Sequence, residues 1–187
     1  PEVVDAIAQA ISAVPGAALL DRSSDADHNR SVLTFAGAPQ AVAQAAFAAI
    51  VEATELIDMT RQQGEHPRMG ATDVVPFVPL VGASMEECVE MARALGQRVG
   101  TELGIPVYLY EQAARRPERK NLANVRRGEY EGIRDSISSE PDRAPDFGPR
   151  EVGTAGAAAI GARAPLIAFN VYLTTADVEI ADKIARA

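Results

Sequence analysis

Aromatic residues are scarce in this chain, at 5% of 187 residues, and tryptophan is absent. A core without large rings must be filled by Ala, Val, Ile and Leu, and an apolar fraction of 47% suffices for that. Cysteine is nearly absent as well. Cys88 alone cannot close an internal disulfide, and its place in an apolar-periodic segment predicts a buried thiol. Positive charge is in deficit: the net charge of -8 disfavours nucleic acid as the main partner. No apolar run approaches the ~20 residues a membrane-spanning helix needs, and no secretory leader is recognisable. The expectation is a soluble, cytoplasmic protein of one domain. Histidine is rare too, with only His28 and His66.

What is present reads as an alternation of helices and strands. Val3, Val4, Ile7, Ile11 and Val14 share one face of a helix over 1–14, stopped by Gly16. "AALLD" (17–21) and "RSVLTFAG" (30–37) read as strands joined by polar turn residues 22–29, a candidate hairpin. Pro39 opens an Ala-rich helix to about 57. "VVPFVPL" (74–80) reads as a strand, and Pro76 and Pro79, which cannot donate to a ladder, suggest an edge or an irregular strand. Ser84 and Glu87 form a capping box for a helix to about 102, and "IPVYLY" (105–110) is a further strand. A basic stretch and the short acidic helix "EYEGIRDSI" follow, and loop 138–149 is the expected flexible segment. "PLIAFNVYL" (165–173) is the most strand-like run, with Thr174 or Thr175 capping a last helix. The whole is an α/β or α+β domain with a mixed sheet. The chain starts without methionine and ends inside a helix pattern, which suggests a fragment of a longer protein.

The stretch "RQQGEHPRMGATD" (61–73) concentrates unusual chemistry. His66 lies between Glu65 and Pro67, beside Arg68, with Gly64 and Gly70 on the flanks. A histidine titrates near neutral pH and can take a proton in one step and return it in the next. The glycines permit close approach of a ligand, and Arg68 has the fork geometry to hold a substrate carboxylate. Glu65 or Asp73 would orient the imidazole. In "DADHNR" (25–30), Asp25, Asp27 and His28 lack a further ligand at metal spacing, so no metal is expected, and Asn29 and Arg30 read as ligand contacts or turn anchors. Six of the 18 Lys and Arg fall in residues 115–127, suited either to an anionic ligand or to a solvated, acid-paired face. "DFGPREVGTAGAAAIGAR" (146–163) is glycine-spaced, yet it is neither a phosphate loop nor a Gly-x-Gly-x-x-Gly fingerprint.

Taken in order, "LIDMTRQQGEHPRMGATDVVPFVP" (56–79), "PVYLYEQAARR" (106–116), "NLANVRRGEYEG" (121–132), "PDFGP" (145–149) and "GARAPLIAFNVYL" (161–173) resemble the glutamate formimidoyltransferase family, specifically the N-terminal subdomain of its formiminotransferase domain. The resemblance implies an α+β subdomain over 1–187, with a ferredoxin-like mixed sheet and helices packed on one face. The family's opening strand and the C-terminal subdomain are missing. It implies a folate enzyme of histidine catabolism and one-carbon metabolism, a homodimer that moves a formimino group from N-formimino-L-glutamate to tetrahydrofolate as co-substrate, without a metal. It places the catalytic histidine on His66. Folate contacts fall on the segment holding Phe147, Gly148, Pro149, Gly153, Thr154 and Gly156; Arg68 and Gly70 are candidate substrate or folate contacts from the reading of the loop itself. Formyl transfer between 5-formyltetrahydrofolate and glutamate, and folate binding without turnover, are the alternatives.

Overall fold

The computed structural model describes residues 1–167 and 173–186. Helix α1 (Glu2–Ser12) leads into the antiparallel hairpin β1 (Ala17–Asp25) and β2 (Arg30–Gly37). Strand β2 has the bounds read from sequence, while β1 runs further than the hydrophobic letters suggest, because Ser23, Ser24 and Asp25 continue the ladder to Val32, Ser31 and Arg30, leaving a four-residue turn, 26–29. The next helix, α2 (Pro39–Leu56), has apolar residues on two sides. Ala45 and Ala53 meet α1 residues Ile7 and Ile11 over the hairpin, while Ala46, Phe47 and Ile50 face the central core. Small alanines allow α2 to lie close to both neighbours.

The central sheet is parallel, in the order β3 (Val74–Phe77), β5 (Ala158–Ala162), β4 (Val107–Glu111). Pro76 therefore sits on an edge strand, as its missing N–H requires. The period of two along the strands sends alternate residues to opposite faces. Val107, Leu109, Ala158 and Ile160 meet Cys88, Ala92, Leu95 and Val99 of α3 (Met85–Glu102) on one face. Tyr108, Tyr110 and Ala159 meet Val125 of α4 (Leu122–Arg126) and Ile133 of α5 (Glu129–Ser136) on the other. The capping box of α3 forms as expected: Glu87 N–H donates to Ser84 Oγ at 3.1 Å and Ser84 N–H to the Glu87 carboxylate at 2.7 Å. The class is α+β, its strands divided between an antiparallel pair and a parallel triplet, with the long helices α2 and α3 on one side of the core and the short α4 and α5 on the other.

Two sequence expectations are corrected, and one strand goes unmarked by the hydrophobic letters. The central strand of the sheet is β5, inside the Gly- and Ala-rich run; of the strand-like run 165–173, residues 165–167 are exposed and irregular and 168–172 lie outside the described residues. Beta-branched letters mark good strand formers, but the middle of this sheet demands small ones: a Cβ on Gly161 would lie 2.5 Å from the Tyr110 ring. The last helix, α6 (Val178–Ala185), is capped by Asp177, whose carboxylate accepts from Glu179 N–H at 2.9 Å, while Thr175 only braces the cap residue. Loop 138–149 is firmly tied. Val107 N–H donates to Phe147 O at 2.9 Å, and Arg119 donates to the carbonyls of Asp142 and Ala144 at 3.2 and 2.6 Å.

Candidate functional site

The His66 loop connects α2 to edge strand β3 and is fixed from three directions. The first is the strand preceding β5. Met59 N–H donates to Thr154 O at 2.8 Å, Ala71 N–H to Ala155 O at 2.8 Å, and Ala157 N–H to Met69 O at 2.9 Å. Gly70 and Gly156 pair at the centre of this short antiparallel crossing. A Cβ on Gly70 would lie 2.1 Å from Ala157 O, and one on Gly156 2.4 Å from Met69 O, so the two backbones meet where no side chain fits.

The second direction is α5. Arg68 O accepts from Tyr130 N–H at 2.8 Å, and the Arg68 guanidinium donates to Glu129 at 2.9 Å, to Glu131 at 2.8 and 3.1 Å, and to Gln62 O at 3.0 Å. Arg68 is therefore spoken for by acids of the chain itself, where the sequence suggested a ligand carboxylate. The third is the hairpin turn. Asn29, in the left-handed region at φ 46°, donates through Nδ2 to Gln62 Oε1 at 2.6 Å and Gln63 O at 2.8 Å, and Glu65 N–H donates to Asp27 O at 3.2 Å. Asn29 is a turn anchor, one of the two readings open from sequence.

His66 sits half-buried where these supports converge. Burial holds its pKa below the ordinary histidine value, and the positive charges of Arg30 and Arg126 push the same way, while Asp73 works against them. Asp73, rather than Glu65, is the acid whose charge acts on the ring. Its carboxylate accepts from Met69 N–H at 2.9 Å and from Arg126 Nη2, and burial raises its pKa despite those partners. The Arg126 Nε, enclosed beside it, has no hydrogen-bond acceptor among the described residues. The coupling of Asp73 to Arg126 across the chain leaves no mark in the sequence. His28, passed over as turn chemistry, stands with its ring centroid 6.4 Å from that of His66, edge to face at 65°.

The structure thus gathers His66, Arg68, Gly70, Asn29, Arg30, Gly153, Thr154 and Gly156 at one end of the parallel strands. Gly153 and Thr154 are exposed, and a Cβ on Gly153 would meet nothing within 4 Å, so this backbone has room for a ligand. Phe147, Gly148 and Pro149 lie apart, on the outer edge of β4. The Phe147 ring packs on Gly96 of α3 beneath the Arg115 guanidinium, 4.4 Å from the ring centroid; Gly148 backs onto Ile105 O; Pro149 is exposed. The basic run is mostly consumed internally. Arg115 covers Phe147, Arg116 donates to Pro141 O and Asp142 O, Arg119 is buried on Asp146, and Arg126 holds Asp73, leaving Lys120 and Arg127 exposed and unpaired among the described residues.

Among the described residues no group of three or more His, Cys, Asp or Glu is arranged to hold a metal ion, and no helix is long and apolar enough to cross a membrane. A shallow concavity lies elsewhere, between α2 and α3, lined by residues such as Gln40, Glu87, Met91 and Arg98.

Known proteins resemble this chain over most of its length. Residues 1–163 match the formiminotransferase domain, N-terminal subdomain. The chain is 52% identical over 185 residues to the glutamate formimidoyltransferase of Streptococcus pyogenes serotype M1, covering 98% of this chain and 62% of that protein. It is 53% identical over 186 residues to the glutamate formimidoyltransferase of Thermoplasma acidophilum, covering 98% and 61%. It is also 50% identical over 185 residues to the formimidoyltransferase-cyclodeaminase of Gallus gallus, covering 98% and 34%. The chain spans about six-tenths of the length of the first two relatives and a third of the last. Matched over most of its length, it belongs to the formiminotransferase family, through that family's N-terminal subdomain.

Proposed function

We propose that the protein transfers a formimino group from N-formimino-L-glutamate to tetrahydrofolate, releasing glutamate, with His66 as the general acid and base. The observation that carries this reading is the setting of His66: half-buried, biased towards the neutral imidazole by burial and by Arg30 and Arg126, and carried on a loop tied by backbone hydrogen bonds to the segment with the open backbone at Gly153–Thr154. A neutral imidazole at physiological pH can accept the proton that the attacking folate nitrogen must lose, and can return it to the departing glutamate nitrogen. With Arg68 held by Glu129 and Glu131, carboxylate binding falls to Arg30, Arg127 and Lys120, which have no such partners among the described residues. The reading includes a homodimer acting in cytoplasmic histidine breakdown, with a C-terminal subdomain completing the folate groove. The additional length of the relatives supports that subdomain.

The test uses the full-length protein with tetrahydrofolate and N-formimino-L-glutamate, acidified and read as methenyl-tetrahydrofolate absorbance, with 5-formyltetrahydrofolate plus glutamate as a parallel mixture. Product is expected in the first, and His66→Gln is expected to lower kcat by about 10²–10⁴-fold. Near-normal turnover by His66→Gln would overturn the role of His66, and turnover of the formyl folate alone would overturn the choice of donor.

A further inference from the structure

We propose that His28, carried by Asp25, is a second proton-transfer residue of this site, acting on the leaving nitrogen while His66 acts on the attacking one. The inference rests on the transferase reading above and changes one part of it: the proton return to the departing nitrogen, given there to His66, passes to His28. The chain's only two histidines, far apart in sequence, are brought to a centroid separation of 6.4 Å, with ring planes at 65°.

The approach is built rather than incidental. The turn carrying His28 is fastened to the His66 loop by both Asn29 side-chain bonds and by the bond from Glu65 N–H to Asp27 O. It is pressed so closely that a Cβ on Gly64 would stand 2.6 Å from His28 O. Within the turn, the Asp25 carboxylate accepts from the His28 backbone N–H at 2.9 Å, and His28 Nδ1 lies 2.9 Å from the same oxygen. That pair fixes the ring and leaves Nε2 as its free nitrogen, the orientation an acid–base histidine receives from a carboxylate. The His28 side chain is half exposed, so Nε2 is open to a ligand.

Formimino transfer needs two proton movements on two different nitrogens. A single imidazole must visit both, whereas two can serve them at once. As the bond from the folate nitrogen to the formimino carbon forms, His66 takes the proton of that nitrogen. As the bond from the same carbon to the glutamate nitrogen breaks, His28 gives that nitrogen a proton. Return of the proton from His66 to His28, through one water at this spacing, restores both rings, so atoms and charge balance over the cycle. The charged groups facing the pair are Asp25 and Asp27 from the turn, Arg30 from β2, Glu65 from the loop, and Asp73 and Arg126 from the far side.

The decisive experiment compares the full-length protein with its His28→Gln, His28→Ala and Asp25→Asn variants, following kcat and KM for formimino transfer from acidic to mildly alkaline pH. For His28→Gln we expect kcat to fall about 10²-fold with KM little changed, and the shape of the pH profile to change. Asp25→Asn should show a smaller fall in the same direction. His28→Ala should be partly restored by added imidazole, which a purely structural turn residue would not allow. Turnover by His28→Gln within about threefold of the parent, with the bell-shaped profile intact, overturns the proposal. An unsubstituted protein silent in the assay overturns the transferase reading first, and the second histidine with it.

Discussion

Two arginine–aspartate pairs flank the parallel sheet, and they are built to opposite ends. Arg119 and Asp146, outside β4, are each only 5% exposed, and their hydrogen bonds close on themselves. Arg119 donates to Asp146 at 2.7 Å and to two carbonyls, while Asp146 also accepts from Leu109 N–H at 2.8 Å. Arg126 and Asp73, at the β3 edge, are 20% and 21% exposed, and the Arg126 Nε is left without an acceptor. The first pair locks a loop to a strand. The second keeps unspent capacity beside His66. The same two residue types thus do structural work where the pair is sealed among backbone partners, and electrostatic work where a buried donor is left over.

Breaking the closed pair should have the largest effect. Arg119→Leu leaves Asp146 charged and buried, and we expect a loss of about 3–5 kcal/mol in urea unfolding. A loss below about 1 kcal/mol, the range of an exposed pair, would remove the contrast. Next in size is Gly70→Ala, which drives a methyl group towards the Ala157 carbonyl. It should cost about 1–3 kcal/mol and loosen the His66 loop, read as lowered stability together with lowered turnover. Smallest in stability, and most informative about the site, is Arg126→Met. It should cost about 1–2 kcal/mol, between the exposed and buried ranges. Its larger signature is in pH. The Arg126 charge helps hold the His66 pKa down, so without it His66 protonates at higher pH, and the acid limb of kcat/KM moves upward. An acid limb that stays in place or moves down would show that Arg126 does not act on His66.

The fold was legible where local chemistry decides it. The Ser84 capping box, Pro39 at a helix start and the prolines of the β3 region each act within a few residues of themselves. The strand Ala158–Ala162 was not legible, because its alanines and glycine answer to Tyr110 and α3 rather than to intrinsic strand preference. The site divides in the same way. The His66 loop announces itself through its glycines and proline, and Gly153–Gly156 came with the resemblance. The partnerships of Asp73 with Arg126, of Arg68 with Glu129 and Glu131, and of His28 with His66 join residues remote in sequence, and only the folded chain brings them together.

The crossing of Gly70 and Gly156 has a consequence for how such a protein can vary over generations. Each glycine faces the other segment's backbone, which no second substitution can trim away. A change at one position therefore has no compensating partner, and a matching change at the other adds a second clash. Lineages of this fold can vary exposed neighbours such as Thr154 and Arg30, but the crossing itself is closed to stepwise change.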